Sequence, residues 1–166
     1  MTDEVVLTDA DVSEEQWLQA IGRVVVATSG AEHELGELLL TIRSKDLAPV
    51  DKRAAGQTGS PLVEALVRVE KVHDGIGALA SQYEGLLDRR NNLVHGAWVL
   101  SVFEEFPTIS AKRDRKDPSA DLSGFIWRIS DLVEMSNSFE MLRLGARKIL
   151  DELNGLPRPW SELDGG

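Results

Sequence analysis

The chain has 166 residues, 42% of them hydrophobic, and a formal net charge of −10. That suits one compact domain able to bury a core and excludes a disordered chain. The absence of cysteine excludes disulfides, thiolate zinc sites and a cysteine nucleophile, while the acidic balance counts against a protein that coats nucleic acid but leaves room for a small basic site.

The opening segment, "MTDEVVLTDADVSEEQW", lacks the basic start and apolar centre of a signal peptide. No apolar run reaches the roughly 20 residues that a membrane span needs. A cytoplasmic protein with no membrane partner is expected. Residues 1–12 read as a flexible acidic arm. Ser13 and Gln16 have the spacing of a capping box, in which each side chain satisfies the other residue's backbone N–H. From there Trp17, Leu18, Ile21, Val24, Val25, Thr28, Leu35, Leu38, Leu39 and Ile42 recur at steps of three and four. They predict an amphipathic helix of about eight turns. Gly22, Gly30 and Gly36 lie inside it at a cost of about 1 kcal/mol each relative to Ala, which points to close packing or a local bend.

"DLAPVDKRAAGQTG" has loop composition. Ser60 and Pro61 predict a second helix, with Ser as N-cap and Pro at the first helical position. Leu62, Val63, Leu66, Val69 and Val72 form its stripe, and Asp74-Gly75 is the expected break. A third helix is predicted from about Ile76 to the mid-90s, with Ile76, Leu79, Ala80, Tyr83, Leu86, Leu87 and Val94 on one face. "WVLSVF", "TISAK" and "GFIWRI" then turn β-branched and aromatic, predicting a hairpin or a three-stranded insert. Ser130-Asp131 opens a last helix along Leu132, Met135, Phe139, Leu142, Ala146, Ile149, Leu150 and Leu153, and Asn154-Gly155 ends it. The expectation is a mainly α protein. Residues 13–155 form one four-helix bundle with a small β insert between helices three and four, and 156–166 form an irregular tail.

One stretch resists this pattern. "RRNNLVHGAW", residues 89–98, places two arginines, two asparagines and a histidine near the end of helix three. Arg90 falls between Tyr83, Leu87 and Val94 near the centre of the apolar stripe. A charge there must be paired or face a cleft or a partner. Asn91 and His95 share a face, whereas Arg90 and His95 point about 140° apart. One reading is a helix end, with Asn capping, His95 satisfying a carbonyl and Gly96 taking the left-handed turn. The other is a phosphoryl-transfer site. Arginine offers a planar, permanently charged fork of donors to phosphate oxygens. Histidine can take a proton from a hydroxyl and return it. RNA carries its own nucleophile, the 2′-hydroxyl, so a base and a cation suffice. The run "KRDRK", residues 112–116, reads either as a solvated loop or as a phosphate-contacting one.

"RNNLVHG" resembles the Arg-(four to six residues)-His motif of the HEPN superfamily. The resemblance covers residues 90–95, with the bundle pattern extending it loosely over 13–154. It implies a small α-helical bundle acting as a metal-independent, cofactor-free endoribonuclease. It also implies a homodimer whose two motifs meet in one cleft, an RNA substrate, and a toxin or phage-defence role with an antitoxin protein as partner. Carried over by position, Arg90 would bind phosphate, Asn91 would be the polar helper and His95 the catalytic histidine. Arg89, Lys112, Arg113, Arg115 and Lys116 are candidate RNA-binding residues. HEPN toxins silenced by AMP transfer carry a tyrosine two residues after the histidine. Ala97 stands here, which counts against that mode of inactivation. The alternative function is a non-catalytic HEPN-like module that binds a nucleotide, RNA or protein through the same groove. A third is a purely structural helical adaptor.

Other motifs carry less. Glu70 and His73 have the Glu-x-x-His spacing of bundle di-metal sites, but such sites need a second pair and further carboxylates, so no metal is expected. His33 reads as a surface or subunit-contact residue. Trp17, Trp98, Trp127 and Trp160 read as packing residues rather than base-stacking platforms.

Overall fold

The computed structural model describes residues 12–95, 97–99, 109–112 and 123–156. These residues are mainly helical, with four α-helices: α1 (Glu14–Ser44), α2 (Ser60–Arg68), α3 (Asp74–His95) and α4 (Ile129–Leu153). Backbone pairing joins β1 (Ala97–Val99), β2 (Ile109–Lys112) and β3 (Ser123–Ile126) in one antiparallel sheet with β2 in the middle. Its register sets Trp98 opposite Ser110 and Ser110 opposite Phe125. The connections between these strands lie outside the described residues, as do the arm over 1–11 and the tail over 157–166. Among the described residues no helix is long and apolar enough to cross a membrane.

Contacts group the chain into two compact units: Met1–Val26 with Asp88–Asn137, and Ala27–Leu87 with Ser138–Gly166. In the second unit, segments of all four helices pack as a bundle. Ala31, Leu35, Leu38, Leu39 and Ile42 of α1, Leu62 and Leu66 of α2, Ile76, Ala80 and Tyr83 of α3, and Phe139, Leu142 and Ala146 of α4 are all buried. Burying each large aliphatic side chain contributes about 1.5–3 kcal/mol. Tyr83 and Phe139 meet edge to face with ring centroids 6.5 Å apart. Beside them lies a buried polar cluster. The Gly59 N–H donates to the Tyr83 hydroxyl at 2.9 Å, and that hydroxyl donates to the Glu32 carboxylate. Gly36 packs so closely on the Ala55 backbone carbonyl that a Cβ would overlap it. In the first unit, Trp17, Ala20 and Val24 of α1, Leu93 of α3, Trp127 just before α4, and Leu132 and Met135 in its first two turns are buried.

Local chemistry accounts for most helix ends. The capping box is present, with Ser13 N donating to Gln16 Oε1 at 2.8 Å and Gln16 N to Ser13 Oγ at 3.2 Å. Both α1 and α4 end in Schellman turns. Leu156 N reaches Asp151 O and Gly155 N reaches Glu152 O, with Gly155 at φ 68°. At α1 the same bonds run from Leu47 to Ile42 and from Asp46 to Arg43, with Asp46 in the left-handed position at φ 55°.

Three local expectations need correction. The N-cap of α2 is Gly59, not Ser60. Its φ of 68° and ψ of −148° fall where only glycine sits without strain. α2 ends at Arg68 and a 3-10 turn covers Glu70–Val72, so the second helix stops before Val69 and Val72 of its expected stripe and well before the expected break at Asp74-Gly75. His73 is extended, and its Nδ1 accepts the Gly75 N–H at 3.0 Å, so an imidazole caps α3 and Asp74 is already helical. The third correction concerns stripes. Leu18 and Val25 of α1 and Val94 of α3 are 62%, 41% and 41% exposed, although periodicity placed all three on core faces.

Candidate functional site

The last two turns of α3 and the first turn of α4 lie in the same unit and carry the polar residues of interest. α4 starts at Ile129, one residue before the expected Ser130, because Asp131 reaches back to accept the Arg128 N–H at 2.8 Å, the reciprocal half of a capping box. The same carboxylate faces Arg89, with Oδ1 3.9 Å from Nη2. The Arg89 guanidinium also lies over the ring of buried Trp127, 5.5 Å from its centroid. A ring face and a carboxylate thus hold one cation in place.

Arg90 and Asn91 are both half-buried, and Arg90 Nη1 donates to Asn91 Oδ1 at 3.1 Å. That bond orients the guanidinium and fixes which way the amide points. Asn92 is buried and donates from Nδ2 to the Asp88 carbonyl one turn earlier at 2.9 Å. His95 is the last residue of α3 and is exposed. On a continuous helix it stands about 7.5 Å further along the axis than Arg90 and about 140° around it. The structure therefore joins Arg90 to Asn91, and Arg89 to Trp127 and Asp131. It does not converge His95 on Arg90 within one chain.

No protein-family model, curated protein or solved structure matches this chain. Its chemistry is therefore argued from its own residues. A guanidinium steadied by a neighbouring amide, with an exposed imidazole one turn on, can bind a phosphate and exchange a proton if both reach the same substrate. In the same unit α1 and α4 enclose a groove of about 210 Å³ beside Gln19, Arg23, Ser136 and Asn137, and none of residues 89–95 lines it.

Lys112 ends β2, and Arg113, Arg115 and Lys116 lie outside the described residues. Trp17 and Trp127 are buried. His73 is not paired with Glu70; its Nε2 meets Glu152 Oε2 at 2.9 Å. Because Nδ1 accepts from Gly75, the proton of the neutral ring sits on Nε2 and is donated to Glu152. Among the described residues no group of three or more His, Asp or Glu is placed to hold a metal ion.

Sequence reasoning missed three participants: Asn92, and the Trp127–Asp131 pair that holds Arg89. Asn92 carried a usable signal, since an Asn inside a helix commonly bonds the carbonyl four residues back. The pairing of Arg89 across helices left no trace in local spacing.

Proposed function

We propose that this chain is a cytoplasmic, HEPN-like, metal-independent endoribonuclease whose β strands form an insert between the last two helices of the bundle. The observation that carries the reading is the Arg90–Asn91 hydrogen bond at 3.1 Å on the same two helical turns as exposed His95. His95 takes the proton of a 2′-hydroxyl, and the 2′-oxygen attacks the adjacent phosphorus. Arg90 stabilises the charge that builds on the phosphorane oxygens. The bond from phosphorus to the 5′-oxygen breaks, the leaving oxygen is protonated by the imidazolium, and a 2′,3′-cyclic phosphate remains. Since Arg90 and His95 diverge on α3, a homodimer supplies the arginine and the histidine of one cleft from two chains. A toxin or phage-defence role, with an antitoxin protein as partner, follows the same resemblance.

The test separates cutting from holding. His95→Ala removes the base and keeps the cation, so RNA binding persists while cleavage falls by roughly 10²–10⁴. Arg90→Ala weakens both, and Arg90→Lys restores little, because a point charge replaces a planar fork. Cleavage survives EDTA. If Lys112, Arg113, Arg115 and Lys116 contact RNA, their joint change to Ser flattens the salt dependence of binding. Wild-type protein that binds RNA without cutting it, with His95→Ala indistinguishable, would replace the enzyme by the interaction module. Cleavage that EDTA abolishes and Mg²⁺ restores would defeat the Arg–His mechanism.

A further inference from the structure

Arg89 is held in place without being hydrogen-bonded. Its guanidinium lies over Trp127, 5.5 Å from the ring centroid, a distance at which the ring face attracts the charge but supplies no acceptor oxygen. The Asp131 carboxylate approaches to 3.9 Å, beyond the 2.7–3.2 Å of an N–H···O bond. Its other oxygen is engaged, because Oδ2 accepts the Arg128 N–H at 2.8 Å at the start of α4. Among the described residues nothing accepts a hydrogen bond from the Arg89 fork. The side chain is 35% exposed, so its donors reach solvent.

An arginine that only braces a fold has its fork closed by a carboxylate or by carbonyls. Here the buried Trp127 fixes the position of the guanidinium, at a cost in side-chain entropy, and its donors stay open. What completes such a group is an oxyanion, because guanidinium is permanently charged, planar and donor-only. Arg90 follows directly in the chain, oriented by its bond to Asn91 at 3.1 Å. Successive residues of α3 point about 100° apart, so the two guanidinia reach two anionic groups rather than grip one. Anionic groups repeated one link apart are the phosphodiesters of a nucleic-acid strand.

We infer that Arg89 binds the phosphodiester next to the one held by Arg90, so that the site takes an RNA strand with two consecutive phosphates and discriminates against a dinucleotide. Trp127 and Asp131 are positioning residues. Asp131 also opposes the incoming phosphate, since its cap on α4 keeps its charge beside the guanidinium. The inference rests on the reading of Arg90 as the ligand of the scissile phosphate.

The probes are 2′-O-methyl oligouridines without terminal phosphates: UpU, with one phosphodiester, and UpUpU, with two. Neither can be cut, because the 2′-nucleophile is blocked. Titration of the full chain, followed by amide NMR shifts, should show UpUpU bound more tightly than UpU. Arg89→Ala should weaken UpUpU roughly tenfold and leave UpU unchanged. It should also lower the slope of log affinity against log salt by about 0.7, the value for one phosphate of a single strand. Arg89→Lys keeps the charge and loses the fork, so the slope should return and the affinity only in part. Asp131→Asn keeps an oxygen for the Arg128 N–H and removes the opposing charge. It should strengthen UpUpU binding only where Arg89 is present. A purely structural brace would give an equal loss for both probes in Arg89→Ala and no gain in Asp131→Asn. Either result, or an unchanged salt slope, would overturn the inference. Binding that depends on Arg90 and not on Arg89 would sink it and leave the nuclease reading standing, whereas a wild-type chain that binds neither probe would sink both.

Discussion

Tyr83→Phe isolates the contribution of the buried polar cluster. The phenyl ring keeps its place, including the edge-to-face contact with Phe139 at 6.5 Å, so packing changes by one oxygen only. That oxygen accepts the Gly59 N–H at 2.9 Å and donates to Glu32. Gly59 is the N-cap of α2, and Tyr83 and Glu32 are both buried, so water cannot simply take the oxygen's place. A neutral hydrogen bond contributes about 1 kcal/mol and one to a charged group about 1.5–3 kcal/mol. The two together give a loss of roughly 2.5–4 kcal/mol, or a fall in Tm of roughly 5–15 °C for a chain of this size. Urea denaturation followed by circular dichroism gives the difference from the shift of the midpoint at constant slope. A cycle with Glu32→Gln should show a coupling of about 0.5–3 kcal/mol, the range for residues in one network. A loss below about 1 kcal/mol, with no coupling to Glu32, would refute the view that the hydroxyl joins α1, α3 and the start of α2.

Two other substitution sets probe the backbone. Gly36→Ala should destabilise by about 1–3 kcal/mol despite its better helix propensity, because the added methyl overlaps the Ala55 carbonyl. Gly85→Ala, with nothing within 4 Å of its Cβ, should stabilise by about 1 kcal/mol; thermal melts that move in the same direction for both would contradict the packing difference. Asp46→Gly should stabilise by about 0.5–1 kcal/mol by relieving a left-handed conformation that costs a side chain energy. An unchanged or lower midpoint in urea would mean that the Asp46 side chain supports the turn.

Local order in the chain was enough for the four helices, their sequence and several of their ends. The capping box at Ser13 and Gln16, the Asn154-Gly155 stop and the core positions from Leu35 to Ile42 follow from interactions between residues at most a few positions apart. Those interactions are written in spacing. The Arg90, Asn91 and His95 candidates were equally legible, because a motif on one helix is itself a local pattern. What periodicity could not decide is which side of a helix is covered at each point along it. α3 buries Tyr83 and, nine residues later, Asn92. At about 100° per residue these two point in opposite directions, so the covered face changes along the helix. One continuous stripe therefore predicted Val94 inside, and it stands outside. The same limit applied to Leu18 and Val25. Hydropathy says that a face would gain by leaving water; only tertiary contacts say whether this chain's own residues cover it.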